Sequence, residues 1–339
     1  MEAIRLGYRH IDCATAYQNE EIVGQAIEKS IKSGVVKRED LFILSKLWNK
    51  NMKPDEVIPA LEKTLIDLKV DYLDMYVVHW PWSNFHEPGS SGDALNDHAV
   101  PYIHEDFMEV WDKMTELKRL GLVKNIGTSN QTRKTMDLLL RDTDDFNRPT
   151  YNQMELHPLF QQKEFVQFLI ENKIAPSGYM SLGSPRRPGR DRFPEHQSDM
   201  QHHIIQSISA QTGLTPPQVC LAWAHQRENN QVGYVSMAER SDWIKSNLLG
   251  ATQNVLSNEQ FQLIDGNNTE ENPGINTNNR LIWGQVFLWP EAKYLGHPRY
   301  VLWDDHQIFE TKSDYDEFRK AFKDFYKVWK STAYNLDFN

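Results

Sequence analysis

The stretch from Leu41 to His79, LFILSKLWNKNMKPDEVIPALEKTLIDLKVDYLDMYVVH, decides the fold. A short apolar run opens it and another closes it, and Pro54 to Leu68 between them carries apolar residues three and four positions apart. A strand, an amphipathic helix and a second strand in this order form a βα unit with parallel strands. The stretch therefore predicts an α/β protein built on a parallel sheet.

The same alternation extends on both sides of this stretch. It predicts seven strands, at Tyr8–Asp12, Leu41–Ser45, Leu73–His79, Val123–Thr128, Thr150–Glu155, Ala175–Tyr179 and Val232–Ser236. The helices predicted between them include Asn19–Ser33, Pro54–Leu68, Phe107–Leu120 and Gln161–Asn172. Seven strands are one short of the eight that close a (β/α)8 barrel. A chain of 339 residues fits one such large domain.

Composition limits the possible partners. The formal charge of −10 argues against nucleic acid, because phosphate binding requires a cationic face. No apolar run is long enough for a membrane span, and no charged-then-apolar leader follows Met1, so we predict a soluble cytoplasmic protein acting on a small molecule. Cys13 and Cys220 have apolar neighbours and are predicted core residues rather than a disulfide or a metal site.

Three segments allow more than one interpretation. Pro81 to Pro101 is too long for a plain βα turn and is typical of a functional loop. A basic run is either a solvated loop or a clamp on a pyrophosphate: Arg186, Arg187, Arg190 and Arg192. The tail is rich in aromatics from Trp283 to Trp303 and could form a lid. A helix predicted over Asp314–Trp329 has an aromatic face that favours core packing over a partner surface.

Four polar residues lie at or just beyond the ends of the first three predicted strands. Asp12 ends the first strand and Tyr17 follows it, while Lys46 and His79 come at the ends of the second and third. Any one of them could be a surface residue. Because the carboxyl ends of barrel strands form the working face, the four together predict an active site.

These residue types suit carbonyl reduction. Tyrosine is a weak acid until neighbours stabilise its anion. We expect Lys46 to lower the pKa of Tyr17, Asp12 to hold Lys46 charged and oriented, and His79 to hydrogen-bond the carbonyl oxygen. Trp48 and Trp80 are predicted to line an apolar substrate pocket, and no metal is needed.

The sequence blocks around these residues resemble those of the aldo-keto reductases. The matching blocks extend from Gly7 to about Asn247 and include GYRHID with AY, SKLW, HWP, IGTSN, YNQMELHP and GYMSLGS. The resemblance implies a (β/α)8 barrel with an Asp, Tyr, Lys and His tetrad at Asp12, Tyr17, Lys46 and His79. It also implies cofactor contacts at Ser129, Asn130, Gln153, Tyr179, Leu182, Ser184 and Asn247.

The chain departs from the family pattern at its start. Members usually have a hairpin and a first barrel strand before the helix that leads into the GYRHID block, and Met1 falls inside that helix. We therefore expect the first strand to be missing. A start recorded downstream of the true one is the favoured explanation. The alternatives are that the tail fills the gap or that the chain is not a stable enzyme.

A second departure concerns the cofactor's adenosine end. Met237 and Ala238 occupy the positions where relatives carry a Lys and a Ser for the 2′-phosphate of NADP, and Arg240 or Lys245 could compensate. We expect NADPH as the cofactor only because the resemblance to the family implies it, and NADH remains possible. Met180-Ser181 also replaces the usual Ser-Pro, and the tail is longer than in relatives.

Together these features predict a monomer or weak oligomer with a barrel over residues 1–250. Residues 251–339 form an extension that packs on or near its mouth. The predicted function is reduction of an aldehyde or ketone by hydride from NAD(P)H, with Tyr17 as proton donor. The alternative is a catalytically weak or inactive regulatory protein that binds the cofactor on the same fold.

Overall fold

The computed structural model describes residues 1–82, 87–88, 100–183, 198–266, 272, 274–275 and 308–321. Some predicted features lie outside the described residues: Ser184, the four arginines between 186 and 192, most of the loop 81–101, the aromatic residues 283–303, and residues 322–329 of the last predicted helix.

The main sheet has seven parallel strands in the order β1-β2-β3-β5-β6-β7-β8. Their bounds are β1 His10–Asp12, β2 Phe42–Leu47, β3 Leu73–Val78, β5 Val123–Ser129, β6 Tyr151–Glu155, β7 Ala175–Tyr179 and β8 Gly233–Tyr234. Two further short strands, β4 Tyr102–Ile103 and β9 Ile308–Phe309, pair with each other in a separate parallel sheet. The α/β class and all seven predicted strands of the main sheet are confirmed.

Ten α-helices whose two ends both lie among the described residues connect or flank these strands. They are α1 Glu2–Leu6, α2 Glu20–Lys32, α3 Pro54–Leu68, α4 His104–Arg119, α5 Arg133–Arg141, α6 Lys163–Glu171, α7 His203–Thr212, α8 Pro216–Gln226, α9 Ser241–Thr252 and α10 Asn258–Asp265. The prediction for α3 was correct at both ends, and those for α2, α4 and α6 were within three residues.

Side chains along β2 show how the curled sheet separates two environments. Ile43 and Leu47 belong to the large apolar cluster that the surrounding helices cover. Leu44 instead packs with Met75, Val77 and Tyr151 in a smaller cluster on the inner face. Because side chains alternate along a strand, Lys46 follows Leu44 onto this inner face, and His79 follows Val77 there.

Within the described chain, β1 and β8 are the two outer strands of the main sheet and do not pair with each other. Helix α1 instead contacts α9 across this side of the molecule. The Tyr8 hydroxyl donates to the Ile244 carbonyl at 2.9 Å, and Ser241 hydrogen-bonds Glu2. These contacts bring the start of the chain against the helix that follows β8.

The last described segment is attached to α4. Beyond the β4–β9 pairing, Lys312 forms ion pairs of 2.9 Å with Asp106 and 2.8 Å with Glu109. Residues 312–321 are helical, so the predicted C-terminal helix begins two residues early. The division of the chain at residue 250 remains a prediction. Helix α10, beyond that boundary, packs its buried Ile264 in the cluster formed with α7 and α8.

Candidate active site

Lys46 is the centre of the polar cluster on the inner face. Its ammonium forms an ion pair with Asp12 and donates to the Cys13 carbonyl at 2.9 Å and to the Tyr17 hydroxyl at 3.3 Å. The side chain is fully buried. A buried ammonium needs such partners because its desolvation is costly. The predicted grouping of Asp12, Tyr17 and Lys46 therefore exists in the fold.

Tyr17 reaches this cluster from the short 3-10 turn Thr15–Tyr17 that follows β1. Tyr17 as a whole is 48% exposed, whereas its hydroxyl oxygen contacts the buried Lys46 ammonium. Burial raises the pKa of Tyr17, and the Lys46 charge lowers it by less, so the net pKa lies above its ordinary value. The expected effect of Lys46 is present, but in this structure it only partly offsets burial.

The pKa of Lys46 is also set by opposing effects. Burial lowers it, while the charges of Asp12 and Tyr17 raise it by more in sum, so the pKa lies above the usual lysine value. Lys46 is therefore a cation at neutral pH. This is the state in which it can stabilise an anion on the Tyr17 oxygen.

His79 lies directly after β3 and faces the Tyr17 ring, with ring centroids 6.0 Å apart in an edge-to-face arrangement. Burial, with a smaller effect from Lys46, holds the pKa of His79 well below its ordinary value. The imidazole is thus neutral. Its Nδ1 is buried without a hydrogen-bond partner among the described residues.

The two predicted pocket tryptophans flank His79. The Trp48 ring lies 5.2 Å from the imidazole centroid in an edge-to-face arrangement, and the Trp80 ring is stacked at 6.5 Å. Both are only 7% exposed. Trp82, which the sequence analysis did not single out, extends the row with its ring 6.2 Å from that of Trp80.

Gln153 joins the polar cluster around Lys46 to the predicted cofactor contacts. Its Nε2 donates to Asp12 Oδ2 at 2.7 Å and to the Tyr151 hydroxyl at 3.1 Å. Both amide hydrogens are therefore used within the protein, which leaves the amide oxygen as the group suited to a ligand. Asp12 is held on one side by Lys46 and on the other by Gln153.

Ser129, Asn130 and Tyr179 form a connected group next to Gln153. The Ser129 hydroxyl donates to the Gln153 carbonyl at 2.9 Å, and Asn130 Nδ2 donates to the His79 carbonyl at 2.9 Å. The Tyr179 hydroxyl donates to Asn130 Oδ1 at 2.6 Å. Asn130 has a left-handed backbone with φ of 61°, which asparagine tolerates better than most residues. The predicted carboxamide-binding residues are thus brought together beside His79.

The turn after β7 carries Leu182. Met180 and Gly183 both have positive φ, and the Gly183 amide donates to the Met180 carbonyl at 2.7 Å. The Ser181 hydroxyl donates to the Val235 carbonyl at 2.9 Å, which ties this turn to the chain after β8. Leu182 is half-buried against the cluster of α7 and α8. The fold therefore fixes this turn at the same rim as the four catalytic candidates.

The adenosine-end candidates lie on and before α9. Asn247 is buried on that helix, and Met237 is 79% exposed. Arg240 is engaged by Asp242 through two hydrogen bonds of 3.0 and 2.7 Å. Its guanidinium also lies 4.8 Å from the centroid of the Trp243 ring. The cation that could replace the family's lysine is thus partly neutralised by its neighbour.

Sequence reasoning missed the three-residue group that we call the His157 cluster: Glu155, His157 and Asp199. His157 Nδ1 lies 2.9 Å from Asp199 Oδ1, and its Nε2 lies 3.1 Å from Glu155 Oε1. All three side chains are fully buried. The block that contains His157 was visible in the sequence, but Asp199 lies 42 positions away. No local pattern links the two.

In the described part of the chain, no group of three or more His, Cys, Asp or Glu side chains is placed to hold a metal ion. Among the same residues, no helix has the length and apolar character that a bilayer crossing requires. Cys13 and Cys220 are both buried, as predicted for core residues.

Comparison with known proteins gives a consistent result. The model of the Aldo/keto reductase family matches residues 1–268. An aldo/keto reductase of Synechocystis is 40% identical over 230 residues, which cover 67% of this chain and 68% of that protein. Dihydrodiol dehydrogenase 3 of Bos taurus is 33% identical over 307 residues, or 90% and 88% of the two chains. The NAD(P)H-dependent 6'-deoxychalcone synthase of Glycine max is 36% identical over 228 residues, or 67% and 68%.

Proposed function

Because the chain belongs to the aldo/keto reductase family, we propose that it reduces an aldehyde or ketone to an alcohol, with Tyr17 as the proton donor. The observation that carries this proposal is the contact of the Tyr17 hydroxyl with the buried Lys46 ammonium at 3.3 Å. A bound nicotinamide cofactor supplies the hydride for this reaction.

Proton donation depends on the charge beside the phenol. When the Tyr17 proton moves to the carbonyl oxygen, the negative charge left on the phenolate lies next to Lys46. The stabilisation is realised as charge develops, and it requires no rearrangement because Asp12 and the Cys13 carbonyl already hold the ammonium.

His79 would orient the carbonyl. Since burial lowers its pKa, the ring is neutral and carries one N–H, and a neutral donor can polarise the oxygen without competing with Tyr17 as an acid. The imidazole contacts the rings of Tyr17, Trp48 and Trp80, so a carbonyl that accepts from both His79 and Tyr17 would lie near the two tryptophans. We therefore propose apolar, and especially aromatic, carbonyl compounds as substrates.

Ser129, Asn130, Gln153 and Tyr179 are the proposed residues for the nicotinamide end of the cofactor. Their hydroxyl and amide groups form a network that reaches Asp12, which fits a ligand carrying a carboxamide. Leu182, Ser184 and Asn247 are proposed for the remainder of the dinucleotide. We favour NADPH and keep NADH open, because Arg240 is paired with Asp242. Cytoplasmic location and a monomeric or weakly oligomeric state belong to the same proposal.

The test is turnover of a reactive aromatic aldehyde, followed by the absorbance of NADPH and, separately, of NADH. Oxidation of NADPH or NADH by the unaltered chain, but not by a Tyr17→Phe variant, would support the proposal. Because the variant keeps the aromatic ring, the loss of activity would be attributable to the hydroxyl. Oxidation that does not exceed the Tyr17→Phe control would instead favour the alternative of a cofactor-binding regulatory protein.

A further inference from the structure

The mechanism proposed above uses none of the His157 cluster, although it is a fully buried group of three ionisable side chains. Burial lowers the pKa of His157, but Asp199 and Glu155 outweigh this and raise it to about 9. The imidazole is therefore a cation at neutral pH and can donate from both ring nitrogens. It joins Glu155 at the end of β6 to Asp199.

The cluster touches the turn that carries Leu182 from one side. A Cβ placed on Gly183 would lie 1.8 Å from Asp199 Oδ2 and 2.9 Å from the Asp199 backbone nitrogen. The Asp199 carboxylate is thus packed directly against the Gly183 backbone. Its Oδ1 also accepts from the Leu159 amide at 2.8 Å, whereas Oδ2 is buried without a hydrogen-bond partner in the described chain.

The cluster also touches the other end of the same turn. Glu155 pairs with Tyr179 in the register of β6 and β7, and the Leu156 amide donates to the Tyr179 carbonyl at 3.1 Å. The residues from Tyr179 to Gly183 are therefore held between β6 and Asp199, and His157 is the link between these two supports.

We propose that the His157 cluster is a positioning device that fixes the turn Tyr179–Gly183 in its cofactor-binding form, so that cofactor affinity depends on the positive charge of His157. This inference rests on the proposed function, because it assumes that Tyr179 and Leu182 contact the dinucleotide. The cluster itself touches neither the substrate pocket nor the tetrad residues in the contacts described above.

Among the described residues, few other ionisable groups interact with the His157 cluster. Glu155 approaches from β6 and Asp199 from the 3-10 turn Asp199–Gln201, while the Phe160 ring lies 6.1 Å from the imidazole. Beyond Asp199, Cys220 on α8 and His202 interact electrostatically with that carboxylate. Burial raises the pKa of Cys220 and lowers that of His202, so neither is expected to change charge together with His157.

The experiment compares the unaltered full chain with His157→Gln. NADPH affinity is measured without substrate by quenching of tryptophan fluorescence, and single-turnover reduction of an aromatic aldehyde is measured at saturating NADPH. We expect the NADPH Kd of His157→Gln to rise roughly tenfold, since ordering one or two side chains on binding costs about that much. The single-turnover rate should stay within about twofold, because the tetrad is unaltered.

A matched control is His104→Gln. His104 is also buried between two partners, with Tyr102 at 2.9 Å and Asp142 at 2.8 Å, but it lies on α4. Its substitution should lower thermal stability without changing the NADPH Kd. An equal rise of Kd in both variants would overturn the proposal, because it would reflect general loosening of the fold.

The pH profile separates positioning by charge from a merely structural role, and it needs only the unaltered chain. NADPH affinity should weaken as the pH rises through about 9, where His157 loses its proton. The same profile should be flat in His157→Gln. A flat profile in the unaltered chain would overturn the proposal even if the variant does not fold. An NADPH Kd that is unchanged in His157→Gln would also overturn the proposal. The same holds for a single-turnover rate that falls in His157→Gln as much as the Kd rises.

The two proposals fail differently. If the unaltered chain binds NADPH but does not turn over the aldehyde, the proposed function fails while the Kd measurements still decide the role of the His157 cluster. If it turns over the aldehyde and His157→Gln binds NADPH normally, only the further inference fails.

Discussion

Replacing Lys46 with Met is the most direct test of the proposed chemistry. Methionine keeps much of the side-chain length and removes the charge that contacts both Asp12 and the Tyr17 hydroxyl. Two unit charges 3.3 Å apart, the Lys46–Tyr17 distance, interact by about 5 kcal/mol at an effective dielectric constant of about 20. Because Tyr17 is 48% exposed, screening by solvent reduces this interaction energy to roughly half.

A loss of about 2 to 3 kcal/mol in the stabilisation of the phenolate corresponds to a decrease of roughly 100-fold in kcat. The pKa of Tyr17 should rise further, so that the remaining activity depends on a less acidic donor. Cofactor binding should be nearly unaffected, since Gln153 still holds Asp12 at 2.7 Å and connects it to the amide network. The assay is kcat for an aromatic aldehyde together with the NADPH Kd measured without substrate.

Lys50→Met is the matched control. Lys50 lies only four residues after Lys46, but it is exposed and its ammonium pairs with Glu87. The substitution should leave kcat unchanged. The double variant Lys46→Met and Tyr17→Phe should be little worse than Tyr17→Phe alone, as expected for residues that act as a unit. A kcat within fivefold of the unaltered chain, or a Kd that rises as much as kcat falls, would refute the role assigned to Lys46.

Two further predictions concern charge. Asp242→Asn should release Arg240 and increase the preference for NADPH over NADH by up to about fivefold, as measured from the ratio of the two Kd values; an unchanged ratio would place Arg240 away from the 2′-phosphate. Burial raises the pKa of Glu20, so the native chain binds the carboxyl proton more tightly than the unfolded chain does. The stability that comes from this difference is present at low pH and is lost as the pH rises above the ordinary glutamate range. Between about pH 4 and about pH 7, the thermal unfolding midpoint of Glu20→Gln should therefore fall less than that of the unaltered chain. Calorimetric midpoints that change equally with pH in the two proteins would contradict this.

Much of the fold could be predicted because its signals are local. The apolar runs at β2 and β3 and the helical spacing of α3 lie within one stretch of 39 residues, and the structure keeps all three. Helix α10 was not predicted, although Ser257 and Gln260 form a capping box that marks its start. Strand β8 was predicted over five residues, but only Gly233 and Tyr234 form it in the structure. Its position at the edge of the main sheet allows this short length.

Pairings between distant residues could not be predicted. Strands β4 and β9 are two residues long and come from segments about two hundred positions apart, so neither has a periodicity of its own. The same applies to the union of His157 with Asp199 and to the pairing of Gln153 with Asp12. A sequence pattern predicts on which face of its own helix or strand a residue lies. These contacts depend instead on where another helix or strand packs.

The sequence by itself determined that the chain alternates strands and helices, and that an acid, a phenol, an ammonium and an imidazole follow the ends of its first three strands. Only the tertiary structure decided how their charges balance. The curled sheet buries Lys46 completely and Tyr17 only in part, so the same burial that makes their contact strong also raises the pKa of the phenol. Burial is a property of all the elements packed around a residue, and for that reason no single stretch of sequence specifies it.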